Sequence, residues 1–278
     1  MKVITEMTKG QAAGVRYVLM DIDDTLTTEG KLPVSSYSAL WMLKNAGFKV
    51  IPVTGRPAGW CDCIARQWPV DAVIGENGAL VFWEENNQAA GGSSSANKLP
   101  VLKTFFHPNA IKNDHSVLQK IRERSLAEVP GLRDAKDQFA RLFDIALDFA
   151  EEEPVLSLED AGKVKVIATE EGAIAKISSI HVNVWMGNYD KLSMAVNFLT
   201  KQYNWNPDDK AAIEQVLFVG DSPNDEPMFK FFPLSCAVAN INRYKELIKH
   251  LPAFVSSKEN GDGFAEIIET LIVNKKSI

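Results

Sequence analysis

The chain is poor in cysteine and holds no long apolar run, and both absences narrow its class. Cys61, Cys63 and Cys236 are the three cysteines among 278 residues, an odd number too small for a disulfide framework, so they are expected as reduced thiols. No stretch approaches the roughly 18 consecutive apolar residues of a membrane-spanning helix. The first ten residues are polar and lack the apolar centre of a secretory signal, so a cytoplasmic location and no membrane partner are expected. Long Lys/Arg blocks are also missing, and 30 basic against 36 acidic residues give a net charge of -6, which argues against nucleic acid as a partner. A Gly-x-Gly-x-x-Gly dinucleotide fingerprint, a Gly-x-Ser-x-Gly nucleophile elbow and internal repeats are absent as well. What is there is an ordinary globular composition, 46% hydrophobic and 24% charged, long enough for one large domain or two ordinary ones, as a monomer or homodimer.

Short apolar runs at 15–20, 48–53, 72–74 and 216–219 suit buried parallel strands, and helical stretches such as 36–45 and 189–202 lie between them. Strands alternating with helices predict an α/β fold, a doubly wound Rossmann-like parallel sheet with any site at the carboxyl ends of its strands. The rhythm breaks at 86–97, where Asn, Ala, Gly and Ser predict a flexible loop. An amphipathic segment at 109–126, β character at 142–149, a segment at 164–174 and an alternating pair at 175–178 and 181–185 follow. That is material for a second, inserted α+β unit. The expected division is 1–83 with 188–278 as the core and 84–187 as the insertion, with 263–273 as a closing helix.

Four clusters stand at predicted strand ends. Asp21-Ile22-Asp23-Asp24-Thr25 places two carboxylates at i and i+2, one suited to nucleophilic attack and metal binding, the other to general acid/base work, although an Asx-rich capping loop looks the same. Val53-Thr54-Gly55-Arg56-Pro57 offers a hydroxyl and free N–H groups at a helix start, an anion site or a plain N-cap. Lys191 follows Asp190 where a helix begins, a position at which the helix dipole disfavours a cation unless an anion compensates it. In Gly220-Asp221-Ser222-Pro223-Asn224-Asp225, helix capping accounts for Pro223 and Asp225 but not for Asp221. Gathering Asp21, Asp23, Asp221 and Asp225 would raise their pKa values unless a cation sits among them, and Mg²⁺ suits such oxygen ligands.

In this order the clusters resemble the four motifs of haloacid dehalogenase superfamily phosphatases, of the Cof type with a type IIB cap inserted between the second and third motifs. The resemblance implies that Asp21 is the nucleophile that forms an aspartyl-phosphate and that Asp23 is the acid/base. It implies that Asp21, Asp23 (through its carbonyl) and Asp221 hold Mg²⁺ with Asp225 behind them, and that Thr54, Gly55, Lys191 and Asn224 bind the phosphoryl group. An Asp at position 23 implies a phosphatase or a phosphomutase, since related ion pumps carry Thr there and related phosphonate-cleaving enzymes a small residue.

A small phosphorylated metabolite, most naturally a sugar phosphate, is the implied substrate. A phosphomannomutase-like mutase is the alternative, but it needs a basic cap to hold a second phosphate, whereas 142–160 is acidic and only Arg141, Lys163, Lys165 and Lys176 remain available. A non-catalytic phospholigand-binding protein has no use for Asp23. His181, Asn183 and Trp185 alternate on one strand and could face a sugar, or could belong to an edge strand with one solvated face. Arg56 and the Glu76-Asn77-Gly78 turn could touch substrate or cap, Asn77 reading first as a turn residue. Cys61 and Cys63 cannot share a helix face, and His107, His115 and His250 read as surface or loop residues. Hinges for cap closure are expected at 83–86 and 187–190.

Overall fold

Tyr17–Met20 and Val216–Gly220 are buried at every position and Lys49–Pro52 at all but its first, because helices cover both faces of the parallel sheet they form. The computed structural model describes residues 1–85 and 99–276, so the loop expected at 86–97 lies outside the described residues. In chain order the strands are β1 (Lys2–Val3), β2 (Tyr17–Met20), β3 (Lys49–Pro52), β4 (Val73–Gly75), β5 (Leu80–Glu85), β6 (Val101–Phe106), β7 (Arg133–Asp134), β8 (Asp144–Asp148), β9 (Ile174–Ile177), β10 (His181–Trp185), β11 (Val216–Gly220), β12 (Leu234–Ala237) and β13 (Phe254–Val255). The helices are α1 (Lys9–Gly14), α2 (Val34–Asn45), α3 (Ala58–Gln67), α4 (Ser116–Glu128), α5 (Leu158–Glu170), α6 (Lys191–Tyr203), α7 (Lys210–Ile213), α8 (Glu226–Phe231) and α9 (Asn260–Lys276). None of the helices among the described residues is long and apolar enough to cross a membrane.

The main sheet is parallel in the order β1-β13-β12-β11-β2-β3. Because side chains alternate along a strand, Val18, Met20, Val50, Leu217 and Val219 pack on one face with α2, α3 and α9, while Tyr17, Leu19, Ile51, Val216 and Phe218 pack on the other with α6 and α8. Each large side chain buried this way contributes about 1.5–3 kcal/mol. Val219 lies opposite Met20 and Met20 opposite Pro52, so these three strands end in step. Asp21 then donates its N–H to the Val219 carbonyl at 2.9 Å, and Val53 donates to that of Met20 at 2.7 Å. The register thus delivers the segments starting at Asp21, Thr54 and Asp221 to one edge.

Beyond β3, the bridge between Val53 and Ile74 connects to an antiparallel sheet of β4, β5 and β6. Residues 101–106, assigned from the sequence to the insertion, therefore run back along β5 in a hairpin attached to the main sheet. Residues 83–85, expected as a hinge, lie inside β5. The four-stranded antiparallel sheet β7-β8-β10-β9 follows later in the chain. Ile145, Leu147, Ala175, Val182 and Val184 on one of its faces pack with α4 and α5. The opposite face carries Asp144 and Asp148 from β8 and His181, Asn183 and Trp185 from β10. Strand β10 runs between β8 and β9 and is buried throughout, so it is not an edge strand.

The two crossings into and out of this unit run side by side near 107–110 and 187–189. Asn109 Nδ2 donates to the Asn188 carbonyl at 3.0 Å, and a Cβ at Gly187, whose φ is +100°, would sit 1.9 Å from the Asn109 carbonyl oxygen. His107 lies in the loop that follows β6, one of the two settings expected of it, but it is buried there against the Tyr189 ring, with 5.7 Å between centroids, and not at the surface. Burial lowers its imidazole pKa.

Candidate active site

Three carboxylates form the floor. Oxygens of Asp21, Asp221 and Asp225 lie within 4.8 Å of one another, and all three residues are buried. Gly220 makes this possible, since a Cβ there would lie 2.4 Å from Asp225 Oδ2, which instead accepts the Asp221 N–H at 3.1 Å. Asp221 is fixed further by the Thr25 hydroxyl at 3.1 Å and by Asn240 Nδ2 at 3.4 Å. Lys191 reaches in from α6, its Nζ 2.9 Å from both Asp21 Oδ1 and Asp225 Oδ1. Asp190 caps α6, its carboxylate accepting the Ser193 N–H at 2.7 Å, while Lys191 beside it points inward and is buried. The two carboxylates compensate a buried ammonium that desolvation and the helix N-terminus both disfavour, and they hold its pKa above the ordinary lysine value.

Charge is not balanced by Lys191 alone, because three carboxylates face one ammonium. Burial first, then Asp225 and Asp23, push the Asp21 carboxyl up to about 7 against the pull of Lys191. Burial and the neighbouring Asp21 and Asp225 push Asp221 well above the carboxylate range. Three converging hard oxygen donors with a residual negative charge fit a small divalent cation such as Mg²⁺. The Asp23 carboxylate is not in this triad.

Asp23 is instead held by Arg56. The Arg56 Nε donates to both carboxylate oxygens at 3.0 Å and Nη2 to Oδ1 at 2.9 Å, while the guanidinium stacks over Trp60, 4.4 Å from the ring centroid. Its remaining nitrogen, Nη1, lies 3.0 Å from Glu151 and 3.4 Å from Asp137, both in the inserted unit. Glu151 also pairs with His181 Nε2 at 2.8 Å, and these two partners keep its carboxyl well below the usual range. One rigid fork therefore ties the acid/base candidate to the face above it.

Around this axis the two units are joined by buried polar groups. Arg141 donates to the Gly55 carbonyl and to Asp144, both at 2.9 Å, and pairs with Asp137, so it is not available for a second phosphate. Asp144 also accepts from Asn183 at 3.1 Å and from Asn77 at 3.4 Å, so Asn77 is both a left-handed turn residue and a contact to the inserted unit. Glu76 accepts N–H groups from Ala58, Leu142, Phe143 and Asp144.

Between floor and cover remains a cavity of ≈ 20 Å³ lined by, among others, Asp21, Asp23, Arg56, His181, Asn183 and Asn224. Gly55 lines it as well. Thr54 lies beneath, its hydroxyl accepting the Arg56 N–H at 3.0 Å in a local turn, but it is not the N-cap of α3, a position that Pro57 occupies. Trp185 is turned away and stacks on Tyr189. Sequence reasoning missed Asp137, Asp144 and Glu151, which lie within or beside a stretch that read only as acidic. It also missed the carboxylate of Glu76, whose signal was a Glu-Asn-Gly turn directly after a predicted strand.

A model of the haloacid dehalogenase-like hydrolases matches residues 18–98 and 157–268, and the chain belongs to that family of enzymes. It is similar to the phosphoglycolate phosphatase of Methanospirillum hungatei, 26% identical over 265 residues that cover 91% of this chain and 95% of that one. Among solved structures, Thermoplasma acidophilum 0175 matches with a TM-score of 0.67 at 21% identity, covering 93% of this chain and 99% of that one. A haloacid dehalogenase subclass IIB sugar phosphatase matches with a TM-score of 0.60 at 15% identity, covering 93% and 100%. These structural likenesses establish the shared α/β fold with its added antiparallel sheets.

Proposed function

We propose that this hydrolase is a Mg²⁺-dependent phosphatase acting on a small phosphate monoester, most naturally a sugar phosphate, through an aspartyl-phosphate on Asp21. The observation that carries this reading is the buried triad of Asp21, Asp221 and Asp225 around Lys191, with Asp23 two residues beyond Asp21 and held by Arg56. The phosphatase relatives support it, as does the sugar phosphatase among the structural matches. In this reading the main sheet and the β5–β6 hairpin form the core. The unit built on β7–β10 is a cap entered near 107–110 and left near 187–189.

Asp21 attacks the phosphorus, the ester P–O bond breaks, and Asp23 gives its proton to the leaving oxygen. Asp23 then takes a proton from water as that water attacks the aspartyl-phosphate, which releases inorganic phosphate and restores Asp21. Arg56 orients the Asp23 carboxylate, and the Lys191 ammonium, the Gly55 N–H, Thr54 and Asn224 neutralise or bind phosphoryl oxygens. Asp21, Asp221 and Asp225 are the carboxylates that would hold Mg²⁺, which when bound supplies further charge neutralisation at those oxygens. The mutase alternative loses Arg141, which is spent in buried pairs.

The test is phosphate release from a panel of sugar phosphates and small esters, with and without Mg²⁺, for wild type and Asp21→Asn. Release should require Mg²⁺ and fall by roughly 10³-fold or more in the variant, as for loss of a nucleophile. Release that persists in Asp21→Asn, or is indifferent to Mg²⁺, would remove the proposal.

A further inference from the structure

The ≈ 20 Å³ cavity is much smaller than a sugar phosphate, but it adjoins a larger one of ≈ 530 Å³. Ser178, Ser222 and Asn224 line both, so a group leaving the phosphoryl site past Asn224 enters the larger space. That volume falls within the roughly 300–1,000 Å³ of small-molecule pockets. Leu158, Ile177, Tyr244 and Leu247 supply apolar wall, and two lysines supply charge.

Lys176 on β9 is the cross-strand partner of Asn183 on β10, and directly paired residues share a sheet face. It therefore stands on the face that carries Asn183 over the reaction site. Lys165 comes from α5. Among the described residues neither ammonium has an ion-pair partner, whereas nearby Lys163 is paired with Asp160 at 2.7 Å. Of the carboxylates at this pocket, Glu226 already accepts the Lys249 and His250 N–H groups at 3.0 Å each, and Glu159 is exposed. Two unpaired cations beside an apolar wall, opening off the phosphoryl site, match an organic leaving group with an anion at its far end.

We infer that the substrate is a phosphate ester whose leaving group carries a second anionic group, a carboxylate or another phosphate, bound by Lys165 and Lys176. This rests on the phosphatase reading and narrows it. It also separates this chain from an enzyme shaped for phosphoglycolate alone, since a two-carbon acid would leave the larger cavity unfilled.

The experiment compares kcat/KM in Mg²⁺ for matched pairs, 6-phosphogluconate against glucose 6-phosphate and fructose 1,6-bisphosphate against fructose 6-phosphate, with p-nitrophenyl phosphate as reference. Wild type should prefer the acidic member of at least one pair by about five- to tenfold, as two partly exposed charge contacts allow. Which pair it is separates carboxylate from phosphate. The preference should shrink as salt shortens the screening length, vanish in Lys165→Ala/Lys176→Ala and reverse in Lys165→Glu/Lys176→Glu. Equal kcat/KM within both pairs for wild type, or equal losses on neutral and acidic esters in the variants, would overturn the inference while p-nitrophenyl phosphate turnover left the phosphatase reading standing. No turnover of any ester would overturn both.

Discussion

Glu76 concentrates more backbone hydrogen bonds than any other side chain at the junction, accepting from Ala58 and Leu142 through Oε1 at 2.9 Å and from Phe143 and Asp144 through Oε2 at 2.6 and 3.1 Å. A glutamine keeps one acceptor and turns an amide NH₂ toward donors, so Glu76→Gln should cost about 1–3 kcal/mol in denaturant unfolding. Burial and the charge of Asp144 push the Glu76 carboxyl up to about 7 from the model-peptide 4.5. The folded state thus holds this proton more tightly than the unfolded chain does. Its contribution is fully present below pH 4.5 and is lost as pH rises through about 7. Metal-free wild type should lose stability over that window, and Glu76→Gln should show a shallower slope in melts at stepped pH. A slope equal to that of wild type would mean that Glu76 does not titrate there. Arg56 makes a second case, because a lysine keeps the charge but cannot reproduce the fork to Asp23 while also reaching Glu151. Arg56→Lys should lower kcat by roughly tenfold or more with a smaller change in KM, the mark of a residue that positions the acid/base. A change confined to KM would assign Arg56 to substrate binding alone.

Elements, unlike single contacts, were largely legible before folding. The runs around Tyr17–Met20, Lys49–Pro52 and Val216–Gly220 are apolar at consecutive positions because both sheet faces are covered, and the polar clusters begin where that cover ends. Lys191 was legible for a related reason, being a cation at a helix start that needed an anion. The β5–β6 hairpin was not, since the partners of Val101–Phe106 lie across the 86–98 segment, whose Gly/Ser-rich composition reads as a boundary between units. The core–cap network was illegible as well. Asp137, Asp144 and Glu151 read as surface acid until Arg56 and Arg141, distant or unremarkable in sequence, are placed against them. The turn after β4 shows how tightly neighbouring elements are fitted. Gly78 has φ +104°, and a Cβ there would lie 2.1 Å from the Asp190 carbonyl oxygen at the start of α6. Gly78→Ala should therefore cost about 2–4 kcal/mol, combining backbone strain with a steric clash. Because α6 carries Lys191, activity should fall together with the urea midpoint. Wild-type stability would mean that the turn and α6 separate easily.

At the scale of the whole molecule, the cover sits closed. Glu76 holds residues 142–144, Arg56 holds Glu151 and Asp137, and Arg141 holds the Gly55 carbonyl, while the space left over Asp21 is ≈ 20 Å³, about enough for one water. A phosphate ester is larger than this space, so the expectation is that these contacts part to admit it. The adjacent crossings at 107–110 and 187–189 are where the chain passes between the two units, and opening there would swing the whole β7–β10 sheet. Buried ion pairs suit such a device, because in the open state each partner regains water and part of its cost is returned. Locking the closed form should then stop turnover. A Cβ at Gly59 on α3 would lie 2.9 Å from the Ala140 Cβ, slightly inside the roughly 3.5–4.5 Å of a disulfide, so a small shift would allow Gly59→Cys and Ala140→Cys to bridge core and cap. With the exposed Cys63 replaced by Ser, oxidation of this double variant should lower phosphate release at least about tenfold, and dithiothreitol should restore it, with the bridge verified by mass spectrometry. Equal rates for the bridged and reduced forms would mean that substrate enters with the cap closed, and the pairs joining the two units would then be structural ties that never part during a catalytic cycle.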